Sequence, residues 1–141
     1  MGGQFIKCHK HLTTLVQFCL RLDQFSIFLM LGVNYYQALL TDSMDPKTPV
    51  EELKELAGSE FYKIRYGVAL NPSTTVKILE KLSKDCWQVA YAVASNPTVT
   101  DEILRKLVQH ENSIVRKKAV EHPNTSEITK RLYLMTVAGV S

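Results

Sequence analysis

Ile64-Arg65-Tyr66-Gly67-Val68-Ala69-Leu70-Asn71-Pro72 is the stretch on which the fold turns. A block of the same shape comes back as Val89-Ala90-Tyr91-Ala92-Val93-Ala94-Ser95-Asn96-Pro97, and again as Val115-Arg116-Lys117-Lys118-Ala119-Val120-Glu121-His122-Pro123. Each block holds an apolar pair four residues apart: Ile64 with Val68, Val89 with Val93, Val115 with Ala119. That spacing puts both members on one face of a helix. Each block ends at an X-Pro pair, and proline biases the residue before it away from the helical region, so the helix stops there. Asp45-Pro46 marks an earlier point of the same kind, and the four prolines follow one another at steps of 26, 25 and 26 residues. A fixed period of this length is the mark of a repeat array.

Between the X-Pro points lies a second apolar segment. Leu53, Leu79 and Leu104 are followed three residues on by Leu56, Leu82 and Leu107, and then directly by Ala57, Ser83 and Val108. The i, i+3, i+4 pattern again describes a helical stripe. Thr48-Pro49-Val50-Glu51 reads as a helix start, with Thr48 as N-cap, proline in the first helical position and glutamate two residues further on. Thr74, Thr100 and Thr125 are expected to cap in the same way. Strand signals are weak throughout. Two short helices cannot bury an apolar face alone, whereas stacked neighbours bury a continuous core. The expected fold is therefore all-α: a short α-solenoid of about three and a half two-helix repeats, at 45–70, 71–95, 96–121 and 122–136. The last lacks a second block and reads as a closing cap, with 137–141 as a tail.

The pattern Asn-Pro-x-Thr followed by paired leucines, and closed by a Val-Arg-x-x-Val-Ala-like block, resembles the leucine-rich repeat variant (LRV) family. Ile64 through Pro72 and Asn71-Pro72-Ser73-Thr74-Thr75 carry the resemblance best, and it covers about residues 45–132. It implies alternating α and 3₁₀ helices in a right-handed superhelix without a sheet, akin to HEAT and armadillo arrays. The family's founding type has an N-terminal cysteine cluster that binds an iron–sulfur centre. Here Cys8 and Cys19 have ten residues between them and no clustered partners, so that cluster is not carried over and no cofactor is expected.

Residues 1–44 stand apart. The run from Leu12 to Leu31 is strongly apolar but is interrupted by Arg21 and Asp23. Three readings stay open: a cap helix on the first repeat, a signal or membrane anchor, or a non-native extension with Met30 or Met44 as the true start. A membrane span wants about 20 mainly apolar residues with few charges, which this run does not offer cleanly. Cys8-His9-Lys10-His11 with Cys19 supplies metal-ligand types without the usual paired spacing, so no metal is expected. Three cysteines without a CxxC pair suit a reducing compartment, hence a cytoplasmic protein.

The formal charge of +3 is too small to argue for nucleic acid by itself. No nucleophile elbow, phosphate loop or zinc-protease motif occurs, and no enzyme activity is expected. Glu51, Glu52 and Glu55 suit the start of a helix better than a carboxylate pair, and His110 and His122 fall where helix-end carbonyls can be capped. On the first helices, Lys54, Glu80 and Arg105 alternate in sign along one column, an expected ladder between repeats. The second-helix columns are the most informative. Tyr62, Trp87 and Ser113 share one position, and Tyr66, Tyr91 and Lys117 share another, with Lys63, Arg65, Arg116 and Lys118 nearby. Aromatic and arginine side chains are enriched at binding hot spots. They also fill inter-repeat space, and a recurring arginine bonds carbonyls. The expected function is a scaffold that binds a protein or peptide through Tyr62, Tyr66, Trp87, Tyr91 and Lys117, with Arg65 and Arg116 at the edge. Nucleic-acid binding and membrane attachment through residues 12–40 are the alternatives.

Overall fold

The computed structural model describes residues 25–139. Within them the chain forms eight α-helices and no strand: α1 (Phe25–Met44), α2 (Val50–Leu56), α3 (Tyr62–Leu70), α4 (Val76–Leu82), α5 (Trp87–Val93), α6 (Asp101–Leu107), α7 (Ser113–Val120) and α8 (Glu127–Ala138). The chain divides into two compact units between Ala38 and Leu39. The described part of the first is the stretch of α1 from Phe25 to Ala38. No helix among the described residues is long and apolar enough to cross a membrane. Cys8, His9, His11, Cys19 and the apolar run before Phe25 lie outside the described residues. The last turn of α1 and everything after it belong to the second unit.

In that unit, helices come in pairs because each seven-to-nine-residue segment carries one apolar stripe and then meets a stop. α2 packs on α3, α4 on α3 and α5, and α6 on α7, while α3 packs on α5 and α5 on α7. The side chains expected inside are inside: Leu53, Leu56, Ile64, Val68, Leu79, Leu82, Val89, Val93, Leu104, Leu107, Val115 and Ala119. Burying a side chain of this kind contributes about 1.5–3 kcal/mol, so the core is the main support of helices too short to persist alone. Ala69, Ala90, Ala92 and Ala94 are fully buried, and their small size lets α3 and α5 lie close.

The X-Pro points carry a hydrogen-bond ladder that ties one pair to the next. Asn71 donates from Nδ2 to the carbonyls of Ser43 (3.0 Å) and Asp45 (2.7 Å), while its Oδ1 accepts the Ser73 N–H at 2.9 Å. Asn96 repeats this with the carbonyls of Ala69 (2.7 Å) and Asn71 (2.9 Å) and the N–H of Thr98 (2.8 Å). A backbone that turns at proline leaves carbonyls without helical partners, and these amides supply the missing donors. At the next step His122 takes the place of asparagine. Its Nδ1 accepts the Asn124 N–H at 3.1 Å, and Asn124 supplies the amide donor, to the carbonyls of Pro97 (3.2 Å) and Val99 (2.8 Å).

The threonines act differently from expectation. The N-caps are Pro49, Thr75, Thr100 and Ser126, so Thr48, Thr74 and Thr125 each stand one residue too early. Their hydroxyls point back and donate to carbonyls six residues earlier, those of Asp42, Val68 and Ala119, each at 2.6 Å. Thr100 holds the cap position but makes no side-chain capping bond, and the buried residue in register with the other threonines is Val99. The carbonyl of Asp42, on the last turn of α1, thus receives the same bond that α3 and α7 receive. At the other end α8 packs on α6 and α7 and runs to Ala138, where Gly139 closes it at φ 68°. Left-handed closure favours glycine.

Candidate functional site

The side chains singled out at the starts of α3 and α5 do come to the surface. Tyr62 is 42% exposed and Trp87 is 43% exposed. Both sit in the first turn of a second helix, one residue after a cap, where the ring projects past the core stripe. Four residues on, Tyr66 and Tyr91 are half-buried, and Lys117 at the third copy is exposed. Lys118 places its Nζ 5.9 Å from the centre of the Tyr91 ring, within cation–π range. The rings therefore divide their roles: Tyr62 and Trp87 offer surface, while Tyr66 and Tyr91 partly shield the packing of α3 and α5.

Beside them lies an open depression of about 350 Å³ lined by Leu40, Met44, Tyr62, Lys63, Tyr66 and Gln88. Two of its walls, Leu40 and Met44, come from the C-terminal end of α1, ahead of the first X-Pro point. Leu40 lies 26 residues before Tyr66, the period of the prolines. Extending the column backwards by one step would have found it. Met44 is half-exposed at the lip.

Arg65 and Arg116 are held by backbone. Arg65 Nη1 donates to the carbonyls of Ser59 (2.7 Å) and Glu60 (3.0 Å), and Arg116 Nη1 donates to those of His110 and Glu111, both at 2.7 Å. Each arginine thus clamps the loop that precedes its own helix. Arg65 also reaches across to the next pair, meeting Asp85 through Nε (2.5 Å) and Nη2 (2.9 Å). This two-point contact holds the Asp85 carboxyl below the usual carboxylate range, against the opposite pull of burial, and raises Arg65 in turn. Arg116 has no such acid: its Nε is buried without a hydrogen-bond partner. Asp85 is the functional neighbour that sequence reasoning missed, although Glu60, Asp85 and Glu111 share one repeat position.

The column of Lys54, Glu80 and Arg105 does not pair as expected. Glu80 takes Lys106 at 2.8 Å, one residue off the column, and Arg105 turns to Asp101 at 3.5 Å within its own helix. Both side chains of the cross-pair are about half exposed, so solvent screens it and it adds little to stability. His122 donates to the backbone of Asn96, just past the end of α5, as a helix-end histidine is expected to, and both histidines also accept. His110 Nδ1, like His122 Nδ1, accepts an N–H two residues on, that of Asn112 at 3.0 Å.

Among the described residues, no three His, Cys, Asp or Glu side chains gather where they would hold a metal. Cys86 is a free, exposed thiol at the N-terminus of α5. The chemistry on offer along α3 and α5 is adhesive: ring faces, aliphatic walls and lysine heads. Compared with family models, curated proteins and solved structures, the chain matches none.

Proposed function

We propose that the second unit is a short α-solenoid of the leucine-rich repeat variant kind, and that it serves as a non-catalytic scaffold that holds a protein or peptide. The observation that carries this reading is the pair of large rings, Tyr62 and Trp87, left more than two-fifths exposed on successive helices beside an apolar-walled depression. Exposing such rings has no evident use in packing, and aromatic anchors next to a concavity supply most of the energy in recognition surfaces. Tyr66 and Lys63 line the depression with Tyr62, Tyr91 lies half-buried at the same position of the next pair, and Lys117 and Lys118 add positive charge further along. Arg65 and Arg116 act by fixing the loops that present the rings. The 25–26-residue step sets their spacing, so the surface suits an extended segment that crosses several helices.

A photoactivatable residue at position 87 in the full chain tests this. Adducts with a discrete partner, lost when Tyr62→Ala and Tyr91→Ala are added while the thermal melt is unchanged, are the expected result. Adducts that persist in the triple variant, or that form equally from position 54 on the first helices, would show that the rings do not select a partner.

A further inference from the structure

We propose that the far side of α7, together with α8, is a second docking surface, and that it takes an acidic amphipathic helix from another protein. Three observations converge on it. The first is architectural. Beside α3 lies α5, and beside α5 lies α7, but among the described residues no helix takes the corresponding place beside α7. α8 begins 26 residues after α6 and so continues the column of first helices, not second ones. The second is chemical. Arg65 is completed by Asp85, 20 residues on, from the next pair. Arg116 makes the same backbone clamp, yet its Nε is left buried and unbonded. The group that completes this motif in the one case on view is a carboxylate, presented from a neighbouring helical layer. The rest of the Arg116 side chain is only partly covered, so an acid can engage the guanidinium edge with a small turn of the group.

The third observation is the surface itself. On α8, Leu134 is 62% exposed, Met135 55% and Val137 59%, and Thr129 is its one buried residue. A solvent-facing helix does not ordinarily carry such a cluster. Residues 112–141 hold five basic side chains and two acidic ones, leaving twelve of each in residues 1–111. The entire net charge of +3 thus sits on this end of the chain. An apolar patch on α8 that carries Arg131 beside it, with Arg116 on the adjoining α7, fits a helix with leucines on one side and carboxylates flanking them. A second copy would bring like charge against like charge, and a nucleic acid would leave Leu134, Met135 and Val137 unused. The surface differs from the aromatic face, and the two stand or fall separately.

The probe is a fluorescent acidic amphipathic peptide of about four turns, leucines in a heptad stripe and glutamates elsewhere, titrated into the full chain by anisotropy. Its controls are a peptide of identical composition with the stripe scrambled, and one with lysine for glutamate. The expected result is saturable binding of the acidic helix that weakens with added salt and drops about tenfold, one anchor's share, in Leu134→Glu and in Arg131→Glu. Tyr62→Ala with Trp87→Ala leaves it unchanged. Leu134 and Arg131 are exposed, so these variants fold, as circular dichroism checks. On addition of the peptide, the Arg116 Nε–H resonance moves downfield as it gains an acceptor. Equal binding of the scrambled peptide, no saturable binding, or an unmoved Arg116 signal would overturn the proposal. So would a concentration-dependent dimer that Leu134→Glu abolishes, or preference for an oligonucleotide over the peptide.

Discussion

His122 shows how one side chain can stand in for another. At Asn71 and Asn96 the amide oxygen accepts the N–H two residues on, and at the third X-Pro point Nδ1 of a histidine does so. That contact requires an unprotonated Nδ1. Burial lowers the pKa of His122 below its ordinary 6.5, a backbone hydrogen bond to Asn96 works the other way, and the charge of Lys118 lowers it further. With a folded pKa below the unfolded one, the unfolded chain binds the proton first. The contribution of His122 is therefore fully present above about pH 6.5 and is lost as pH falls below that, levelling off under the folded pKa. His122→Asn restores the amide and should flatten the dependence of the melting temperature on pH between about 5 and 7 while keeping neutral stability. An unchanged slope would assign the acid sensitivity to other groups. At Asn96, which is fully buried, alanine removes both cross-pair bonds and leaves the Ala69 carbonyl without that donor, while the Asn71 carbonyl keeps the Thr74 N–H at 3.1 Å. Denaturant unfolding should register a loss of about 2–4 kcal/mol. Ser73→Ala, which removes one exposed bond to the Pro46 carbonyl, should cost less than about 1 kcal/mol. Equal losses would mean that the amide ladder is not what joins the pairs.

Between elements, the end of α1 comes close to α3 at Gly67. A Cβ built there would collide with the Ser43 hydroxyl and come within 3.0 Å of Ser43 Cβ and 3.1 Å of Met44 Cγ. Gly67→Ala raises helix propensity but must push α1 from α3, a net destabilisation of about 1–3 kcal/mol. Calorimetry should show the melting temperature falling, and Ser43→Gly in the same chain should recover most of it. If Gly67→Ala alone is neutral or stabilising, the two helices are not in contact as described. The helices themselves were legible in the sequence because leucine spacing and X-Pro stops are local signals. What escaped was the direction of side chains. A threonine before a helix can cap forwards or donate backwards, and Thr48, Thr74 and Thr125 donate backwards. Thr100 matches the other threonines by type alone, since the 25-residue step from Thr74 puts Val99 in their register. Glu80 had two cations within reach on α6, and only geometry selects Lys106 over Arg105. The exposure of the rings was likewise unreadable, since Tyr62 and Tyr66 differ by one helical turn and end in different environments.

At the scale of the whole second unit, the period of the prolines was enough to give an all-helical chain of paired segments, because it states where each helix must stop. Whether those pairs form a linear stack has a consequence beyond shape. In a linear stack each layer is held by its neighbours alone, so opening starts at the ends and spreads inwards. α5 has second helices on both sides, α3 and α7, whereas α7 has one on one side only, α5, and otherwise meets α6 and the sparsely buried α8. Native-state hydrogen exchange should therefore find the amides of α5 slowest, those of α3 and α7 faster, and those of α8 fastest of the four. Leu104→Ala, in the fully buried column of α6, sharpens the test. It removes about 2–5 kcal/mol of core packing near the C-terminal end. In a stack, protection should collapse in α6, α7 and α8 while α3 keeps most of its own, because the lost contacts lie two layers away. In a single cooperative globule, every slow amide would lose the same free energy. Uniform loss across α3, α5 and α7 would thus rule out the linear arrangement on which the proposed scaffold rests, and a graded loss would place its weakest joint beside α8.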